Sequence, residues 1–535
     1  MTDKPMVLMP EDIQRIMGKD AQRNNILAAR MVEEMVKTTL GPKGMDKMLV
    51  SPTGDIIVTN DGVTILQEMQ IEHPAAKMMV DIAKTQDSEV GDGTTTVVML
   101  AGKLLENAEK LLDQKVHPTI IAKGYKLAAE KCQEILNEIA LRISPDDDEI
   151  LKQLAMTSMT GKGAESSKEK FAEIVVKAIK QIQTNGKIDL NDIKIEKSKG
   201  EGMADTELIQ GIVLDKEKLS NDMPYIVNKA KIVLIDFPLE LKNPEIETKI
   251  SISSPDQLQG FLNQEERVIK EMVNKVRSTN ANVIFCQKGV DDFAQYLFSK
   301  AGIYVCRRIS KSDMEKLAKA TGGKIVSHIN ELSSSELGDA EIVEEVKHGD
   351  ETFTYIRGCK NPKAVTILIH GGTDHIIDEI ERAFKDGFGV VASSLKTKLV
   401  VPGGGAIEIE LARRLRHFGQ SLSGREQLAV EEFASALEFI PTTLAENAGL
   451  DPIDILTELK SKHDAGDRNA GLNLFTNKIE NVLEARIIEP YKIKTQAISS
   501  ASEVANMILR IDDIISANGK NKSGIRVHPE MNEEF

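Results

Sequence analysis

The sequence predicts a multidomain protein in which mostly helical regions near both ends of the chain enclose an α/β region in the middle. At 535 residues the chain is too long for one hydrophobic core, so two to four domains are expected. From about residue 215 the pattern changes, and short β-branched runs alternate with helical stretches. Such alternation indicates an α/β layer with at least some parallel strand pairing.

The composition is typical of a soluble globular protein, with 41% hydrophobic and 28% charged residues. A net charge of −15 argues against a general nucleic-acid binder and offers no basic patch for an anionic membrane. No apolar run is long enough to span a bilayer, and the N-terminus lacks a signal-peptide pattern. Four scattered cysteines without zinc-site or disulfide spacing favour a reducing cytoplasm. These are Cys132, Cys286, Cys306 and Cys359.

The first predicted helix covers Ala21–Leu40 and follows a loose arm formed by residues 1–20. The helix is expected to stop at Gly41 and Pro42, because this pair is a strong terminator. The whole turn Thr38–Gly44 is rich in glycine. Taken alone, it is typical of a simple helix stop.

A β-hairpin is predicted next, from strands Met48–Val50 and Ile56–Thr59 joined by the turn Ser51–Gly54. The polar turn Asn60–Gly62 follows at the end of the second strand. An Asp-Gly pair in that position is usually only turn chemistry.

The run Val90–Thr96 combines two glycines, one carboxylate and three hydroxyl residues, and a long stretch with helical spacing follows it. A glycine turn that leads into a helix N-terminus presents free N–H groups and a positive dipole end, which suits a phosphate. Asp92 would repel a bare phosphate, so its presence indicates a cation, most naturally Mg²⁺. The alternative is an ordinary capped helix, with Asp92 or a threonine as N-cap.

A helix from Pro118 to about Leu141 ends before Ser144–Asp148, where a proline and a charge run predict a domain boundary. The segment Thr157–Gly163 lies between two helical patterns and places Lys162 between two glycines. Lys162 is either a phosphate contact or a solvated loop lysine. Local sequence does not decide between these two interpretations.

The middle region contains three β-branched runs separated by helical stretches near 256–277, 290–301 and 312–320. The predicted strands are Ile232–Ile235, Val283–Cys286 and Tyr304–Arg307. No phosphate-binding glycine turn follows any of these strands, so this region is interpreted as a binding module.

The segment Leu239–Leu262 mixes apolar residues with many charges and is either a core-facing insertion or a projecting arm. Its apolar residues are Ile246, Ile250, Ile252, Leu258, Phe261 and Leu262.

Strands return at 352–356 and 365–369, and Gly371–Thr373 then opens a helix. Asp386 is expected near the end of this helix, where a carboxylate opposes the negative end of the dipole. Such a locally unfavourable residue hints at function, although an exposed aspartate is the commoner explanation.

A third glycine-rich turn, Val401–Ala406, precedes long helices that extend to about Lys462. A final helix is predicted over about 495–516, and a polar, disordered tail follows it.

Four of these motifs together resemble a group II chaperonin subunit. They are the run Leu40–Met48, the turn Asn60–Gly62, the run Gly91–Thr96 and the glycines Gly403–Gly405. The likeness covers nearly the whole chain and is strongest to archaeal thermosome subunits, then to eukaryotic cytosolic chaperonin subunits. Two departures concern the C-terminus, which lacks a Gly/Met-rich tail, and Glu489, which stands where Asp is common. Glu489 should still allow a ribose or adenine contact.

The resemblance implies a subunit with three domains, in a double ring that encloses unfolded polypeptides. A helical equatorial domain would combine residues 1–145 and 404–535. A small intermediate domain would combine 146–214 and 370–403. An α/β apical domain would cover 215–369 and carry a helical lid protrusion from Leu239 to about Lys270.

The resemblance also implies a site for ATP and Mg²⁺, with Asp92 as the metal ligand and with Asp386, assisted by Asp61, orienting the attacking water. Lys162 would sense the γ-phosphate. Nucleotide contacts are carried over to Thr39, Leu40, Gly41, Pro42, Asn60, Gly93, Thr94, Thr95, Thr96, Gly405, Asn473 and Glu489. No P-loop signature occurs in the sequence.

The expected function is therefore ATP hydrolysis coupled to protein folding, with other chaperonin subunits and unfolded polypeptides as partners. A small-molecule kinase and a non-enzymatic scaffold are the alternatives. The sequence leaves open whether the ring contains one kind of subunit or several, and whether it has eight or nine.

Overall fold

The computed structural model describes residues 13–163, 167–184, 186–200, 202–240, 255–349 and 351–517. Helices predominate toward the two ends of this part of the chain, and most of the strands lie between them. The helices are α1 (Lys19–Lys37), α2 (Gly62–Glu68), α3 (Pro74–Val90), α4 (Thr94–Asp113), α5 (Pro118–Ile139), α6 (Asp148–Met159), α7 (Lys168–Ile182), α8 (Pro255–Arg277), α9 (Asp292–Lys300), α10 (Lys311–Thr321), α11 (Asp374–Thr397), α12 (Ala406–Ser421), α13 (Glu426–Asn447), α14 (Pro452–Asp464) and α15 (Tyr491–Leu509).

The strands form one large sheet and several small ones. They are β1 (Ile13–Met17), β2 (Lys47–Val50), β3 (Ile56–Thr59), β4 (Leu141–Arg142), β5 (Ile193–Lys199), β6 (Glu207–Ile209), β7 (Gly211–Leu214), β8 (Ile226–Ile235), β9 (Val283–Cys286), β10 (Tyr304–Cys306), β11 (Ile325–Val326), β12 (Gly338–His348), β13 (Glu351–Arg357), β14 (Val365–Gly371), β15 (Leu399–Pro402), β16 (Ala470–Asn473), β17 (Lys478–Asn481), β18 (Ile488–Pro490) and β19 (Asp513–Ala517).

A helical core combines α1 and α3–α5 from the start of the chain with α12, α13 and α15 from its end. Helix α4 runs through its centre, because its apolar residues recur on several faces and pack on α1, α3, α13 and α15. The chain has no tryptophan, so this core is almost wholly aliphatic.

A second core forms where α6, α7 and α11 pack together and onto a three-stranded sheet of order β5-β14-β6. Phe171 of α7 and Phe384 of α11 meet there with ring centroids 4.9 Å apart. The two helices that flank the α6–α7 loop therefore share one hydrophobic cluster with α11, and this fixes the loop relative to that helix.

The third region is a seven-stranded sheet of order β10-β9-β8-β12-β13-β7, with β11 added beside β8. Strands β8, β9 and β10 pair in parallel and β12, β13 and β7 antiparallel, so the predicted parallel pairing is confirmed. Apolar clusters cover both faces. Strand β7 belongs to this sheet although it lies before the predicted boundary at 215, and β14 belongs to the second core although it begins before the predicted boundary at 369. The division into domains stays a prediction.

The expected loose arm over residues 1–20 is wrong for its second half. Strand β1 pairs antiparallel with β19, with Ile13 opposite Ala517. The final helix ends at Leu509 rather than near 516, because the chain leaves it to form β19, and Gly18 N donates to Asp512 O at 2.7 Å. Residues 1–12 and the predicted disordered tail after 517 lie outside the described residues.

The expected position of Asp386 near a helix end is also wrong, because α11 continues to Thr397. Gly387 and Gly389 lie inside the helix and allow close packing instead of ending it. A Cβ on Gly389 would lie 2.6 Å from Val90 O and 2.7 Å from Gly91 Cα. Asp386 therefore does not oppose the negative end of the helix dipole. It is also not an exposed aspartate, because it is buried.

The predicted arm is described only at its two ends. Leu239 is buried, bridges Val290 and packs into one of the apolar clusters of the large sheet. Helix α8 returns to the same cluster through Ile269 and Val273. Residues 241–254, with Ile246, Ile250 and Ile252, lie outside the described residues, so neither interpretation of the arm is tested.

Within the described segments, no helix is both long and apolar enough to cross a membrane. The four cysteines are all buried and unpaired, as expected from their scattered positions.

Candidate active site

A cavity of about 290 Å³ opens between the turn after α1, the N-terminus of α4, the α6–α7 loop, the β15–α12 turn and the β16–β17 hairpin. Every predicted site residue except Asp386 lines it. These are Thr39, Leu40, Gly41, Pro42, Asn60, Asp61, Asp92, Gly93, Thr94, Thr95, Thr96, Lys162, Gly405, Asn473 and Glu489. Residues far apart in the chain are thus brought to one place.

The N-terminus of α4 has no side-chain cap. Its N-cap residue is Gly93, in a left-handed conformation with φ +80° that suits glycine. The Asp92 carboxylate accepts a hydrogen bond from Gly93 N at 2.7 Å and caps no later turn. The capped-helix alternative is therefore wrong. Thr94–Thr96, whose first-turn N–H groups follow Gly93, line the cavity, and this arrangement suits an anion.

Asp61 performs the expected turn chemistry and also faces the cavity. It caps α2, since its Oδ2 accepts from Thr64 N at 3.1 Å and from Thr64 Oγ1 at 2.6 Å. Its Oδ1 accepts from Thr94 Oγ1 at 3.2 Å. Asp61 thereby fixes the starts of α2 and α4 relative to each other.

Lys162 is not a solvated loop lysine, because its side chain is only 16% exposed and forms ion pairs. It pairs directly with Asp386 of α11, and its Nζ lies 3.7 Å from Asp92 Oδ1. Asp386 thus stands immediately behind the lysine that lines the cavity. We call the surroundings of Asp61, Asp92, Lys162 and Asp386 the acidic end of the cavity.

The acidic end carries more negative than positive charge. Burial alone would lower the pKa of Lys162, but the carboxylates of Asp386 and Asp92 raise it, so the ammonium stays protonated. Burial raises the pKa of Asp386 well above its ordinary range, against the influence of Lys162, and Asp92 adds to the rise. Burial likewise raises the pKa of Asp87 nearby, and Asp61 contributes to that shift. An added cation would relieve this excess.

Two further polar groups hold the backbone at the acidic end. Buried Asn60 donates from Nδ2 to Gly161 O, in the turn that carries Lys162. Buried Gln86 donates from Nε2 to Asp92 O at 3.0 Å and to Ile493 O at 3.3 Å. The metal-ligand candidate and the lysine loop are therefore both fixed by amide side chains.

A second part of the cavity, which we call the hairpin end, is formed by Gly404, Gly405, Asn473, Glu489 and Lys494. Both glycines have positive φ, and a Cβ on Gly405 would lie 2.6 Å from the Cβ of a proline in α13. Asn473 is held by its neighbours, since its Oδ1 accepts from the N–H two residues on at 2.9 Å. The third glycine turn thus brings the backbone close to the cavity.

Sequence reasoning missed Lys494, which is buried in the first turn of α15 and lines the cavity. Its Nζ lies 2.6 Å from Glu489 Oε2 and 2.8 Å from Glu408 Oε1. A usable signal was present, because Glu408 stands between two isoleucines at the start of α12 and, once buried, needs a cation as partner. Other lining residues that were missed are Gln153, Met156, Thr157, Ser158, Thr160, Lys168, Gly404, Ile440, Leu444, Leu472, Leu474, Phe475, Ala485, Arg486, Ile487 and Ile493.

Comparison with protein families gives a match for residues 32–519, to the TCP-1/cpn60 chaperonin family. The chain belongs to this family. Its sequence is 57% identical over 538 residues to thermosome subunit beta of Archaeoglobus fulgidus, with 99% of each chain covered. It is 56% identical over 523 residues to the thermosome subunit of Methanopyrus kandleri, covering 97% of this chain and 96% of that one. Thermosome subunit alpha of A. fulgidus is 54% identical over 522 residues, with 97% of this chain and 96% of its own covered.

These matches confirm the resemblance to a group II chaperonin subunit, and with it a function in protein folding. They set aside the kinase and the scaffold. The mixed helical and sheet content of this chaperonin agrees with the predicted fold class.

Proposed function

We propose that this chaperonin subunit binds ATP with Mg²⁺ and hydrolyses it, and that hydrolysis drives the closure of a folding chamber. One observation carries the proposal. The uncapped N-terminus of α4 lies beside Asp92 and lines the same cavity as Lys162, which pairs with Asp386 behind it. An anion site, a carboxylate for a cation and a buried lysine–carboxylate pair are the parts that phosphoryl transfer to water requires.

The residues present fit a magnesium–nucleotide complex. Among the described residues no group of three or more Asp, Glu, His or Cys side chains is arranged to hold a metal ion by itself. That is the expected arrangement for Mg²⁺, which is usually held by one or two carboxylates and by the phosphates of the nucleotide. Asp92 would supply the carboxylate, and the bound metal would neutralise phosphate charge beside it. The excess of carboxylates at the acidic end supports such a cation.

The phosphates would lie on the first turn of α4, where Gly93 and Thr94–Thr96 offer N–H and hydroxyl donors. Thr39–Pro42 and Asn60 would line the nucleotide beside them. Lys162 would contact the terminal phosphate from the α6–α7 loop. The nucleoside would extend toward the hairpin end, to Gly405, Asn473 and Glu489.

Asp386 would orient the attacking water and accept its proton, with Asp61 assisting. The raised pKa of Asp386 makes its carboxylate a stronger base than an exposed aspartate. In this structure the carboxylate is engaged by Lys162. Contact between Lys162 and a terminal phosphate would loosen that pair and make the Asp386 carboxylate available to water.

We further propose the division into equatorial (1–145, 404–535), intermediate (146–214, 370–403) and apical (215–369) domains. The separate cores support it. Lys162 and Asp386 belong to the intermediate part and Asp92 to the equatorial part. A nucleotide that contacts both would favour the conformation in which they lie together, and this links its binding to the position of the apical domain and its lid, 239–270.

The proposed function includes assembly with other chaperonin subunits. The relatives in A. fulgidus are named as alpha and beta subunits. We propose that this chain also forms a double ring, with copies of itself or with a related subunit, and that unfolded polypeptides are its substrates.

The test uses the purified protein in four assays: native mass, Mg²⁺-dependent ATP turnover, refolding of a denatured enzyme, and protection of that enzyme from protease. We expect a ring-sized particle that hydrolyses ATP only with Mg²⁺. It should protect the denatured enzyme from protease only while it turns over ATP. A particle that protects equally with and without nucleotide would contradict the coupling. Phosphorylation of a small molecule by a monomer would contradict the whole proposal.

A further inference from the structure

Lys494 forms a buried three-charge cluster in the wall of the hairpin end. Its ammonium is 2.8 Å from Glu408 Oε1 and 2.6 Å from Glu489 Oε2. Lys494 and Glu408 are 6% and 4% exposed, whereas the Glu489 side chain is 23% exposed and lines the cavity. One carboxylate of the cluster is therefore internal and the other is accessible.

Stability alone is a weak reason for such a cluster. Burying three charges has a large desolvation cost, and well-packed apolar residues often replace buried ion pairs without loss. Glu408 Oε2 has no hydrogen-bond partner among the described residues, so the cluster is not even fully satisfied. Burial alone would lower the pKa of Lys494, but Glu408 and Glu489 raise it, so the ammonium persists.

The position of the cluster indicates a role in the site instead. Lys494 lies one residue after Ile493, whose carbonyl oxygen accepts from Gln86, and the same Gln86 amide donates to Asp92 O. The first turn of α15 is thus joined to the acidic end through Gln86 and to the hairpin end through Glu489. A displacement of this turn would reach both.

We propose that Lys494 is a positioning residue for ribose recognition: anchored by Glu408, it holds Glu489 Oε2, so that Glu489 Oε1 accepts hydrogen bonds from the ribose hydroxyls of the nucleotide. The inference rests on the proposed function. A carboxylate fixed at one oxygen accepts from a vicinal diol without losing further rotamer freedom. A site built around such an acceptor discriminates against an analogue that lacks the hydroxyls, because the acceptor in the cavity wall then loses its partner when the nucleotide excludes water.

The test compares steady-state turnover of ATP and of 2′,3′-dideoxy-ATP by the assembled protein. Wild-type protein is expected to show a KM at least about tenfold lower for ATP. In Lys494→Met the KM for ATP should rise about tenfold toward that of the dideoxy analogue, while kcat for ATP changes less than about twofold. The KM for the analogue should stay nearly constant.

The chain offers a matched control. Lys194 is also buried and lies 2.7 Å from both Glu196 and Asp313, but it does not line the cavity. Lys194→Met removes the same kind of charge from the same kind of cluster. It should lower the melting temperature and leave both KM values unchanged.

Three further variants separate position from stability. Lys494→Met combined with Glu408→Gln removes the unpaired internal carboxylate, so its melting temperature should recover while ribose discrimination stays lost. Glu489→Ala should abolish discrimination by itself, and adding Lys494→Met to it should change little, since both act through one contact.

Recovery of discrimination together with stability would overturn the proposal, and so would equal weakening of ATP and the dideoxy analogue in Lys494→Met. Should that variant fail to assemble, wild-type protein still decides, because equal KM values for the two nucleotides exclude the ribose contact. A wild-type protein with no ATP turnover would instead contradict the proposed function.

Discussion

The two ends of the cavity are each built around a buried lysine, but they draw on different parts of the chain. At the acidic end, Lys162 comes from the α6–α7 loop and pairs with Asp386 of α11, and the helices that carry them pack in the second core. Their neighbour Asp92 stands at the start of α4, in the helical core. At the hairpin end, Lys494 and both its partners lie within residues 408–494.

This difference separates two tasks. The residues of the hairpin end all lie outside α6, α7 and α11, so we expect their hold on a nucleoside to depend less on the position of those helices. The acidic end exists only while those helices lie against the start of α4. We therefore expect affinity to be set mainly at one end and turnover at the other.

The largest effect is expected from removing the metal-ligand candidate. Asp92→Ala should abolish Mg²⁺-dependent ATP binding in calorimetry and leave the fold intact, because within the described residues the carboxylate contacts its own turn and Lys162 alone. Asp87→Asn is the control, a neighbouring carboxylate that does not line the cavity. Normal affinity in Asp92→Ala would remove Asp92 from the site.

The next largest effect is a loss of turnover without a loss of binding. Asp386→Ala should bind ATP normally but lower kcat by at least about a hundredfold, as expected when a base or water-orienting group is lost. Asp378→Ala, on the exposed face of the same helix and paired with Lys197, should have near-normal kcat. Equal losses of binding and turnover in Asp386→Ala would indicate a structural aspartate.

The contact between α11 and the turn before α4 allows a sharper comparison, between two glycines of α11. A Cβ on Gly389 would meet the backbone of Val90 and Gly91, whereas one on Gly387 would meet the flexible end of Met159. Gly389→Ala should therefore displace Asp386 from Asp92 and lower kcat about 10- to 100-fold, with KM nearly unchanged. Gly387→Ala has the same helix propensity gain and should lose much less. Similar kcat values for the two variants would contradict this account.

The smallest effect concerns Glu33, buried between α1 and α4 against Gly102. Burial raises its pKa to about 7, and Glu106 adds to the rise. The stability that the protonated carboxyl of Glu33 contributes is thus fully present below pH 4.5 and is lost as the pH rises through about 7. Glu33→Gln should raise the unfolding free energy at pH 8, by at most about 3 kcal/mol, and have little effect at pH 5.

Glu106→Gln should change the unfolding free energy in the opposite direction. Burial opposes ionisation of Glu106, but Lys103 lowers its pKa, so its contribution is present at neutral pH and is lost on acidification. Denaturant unfolding at the two pH values measures both variants. A gain for Glu33→Gln that is equal at pH 5 and pH 8 would exclude titration as its cause.

The sequence predicted those parts of the site that depend on local chemistry. Gly91–Thr96 indicates an anion site because glycines, hydroxyls and helical periodicity are adjacent in the chain. Asp386 was chosen by resemblance, and the local argument for it failed because its glycines serve packing. Lys494 was missed because its partners come from another helix and a strand, and periodicity says nothing about such contacts.

The pairing of β1 with β19 has a consequence for how the protein is made. Translation at about 5–20 residues per second puts roughly 25–100 s between residues 13 and 513. Until then β1 lacks its partner, and α4 cannot bury the face that packs on α15. The seven-stranded sheet is complete at Arg357 and can fold as it emerges from the ribosome. During its own synthesis, this chaperonin subunit therefore exposes the kind of apolar surface that chaperones bind.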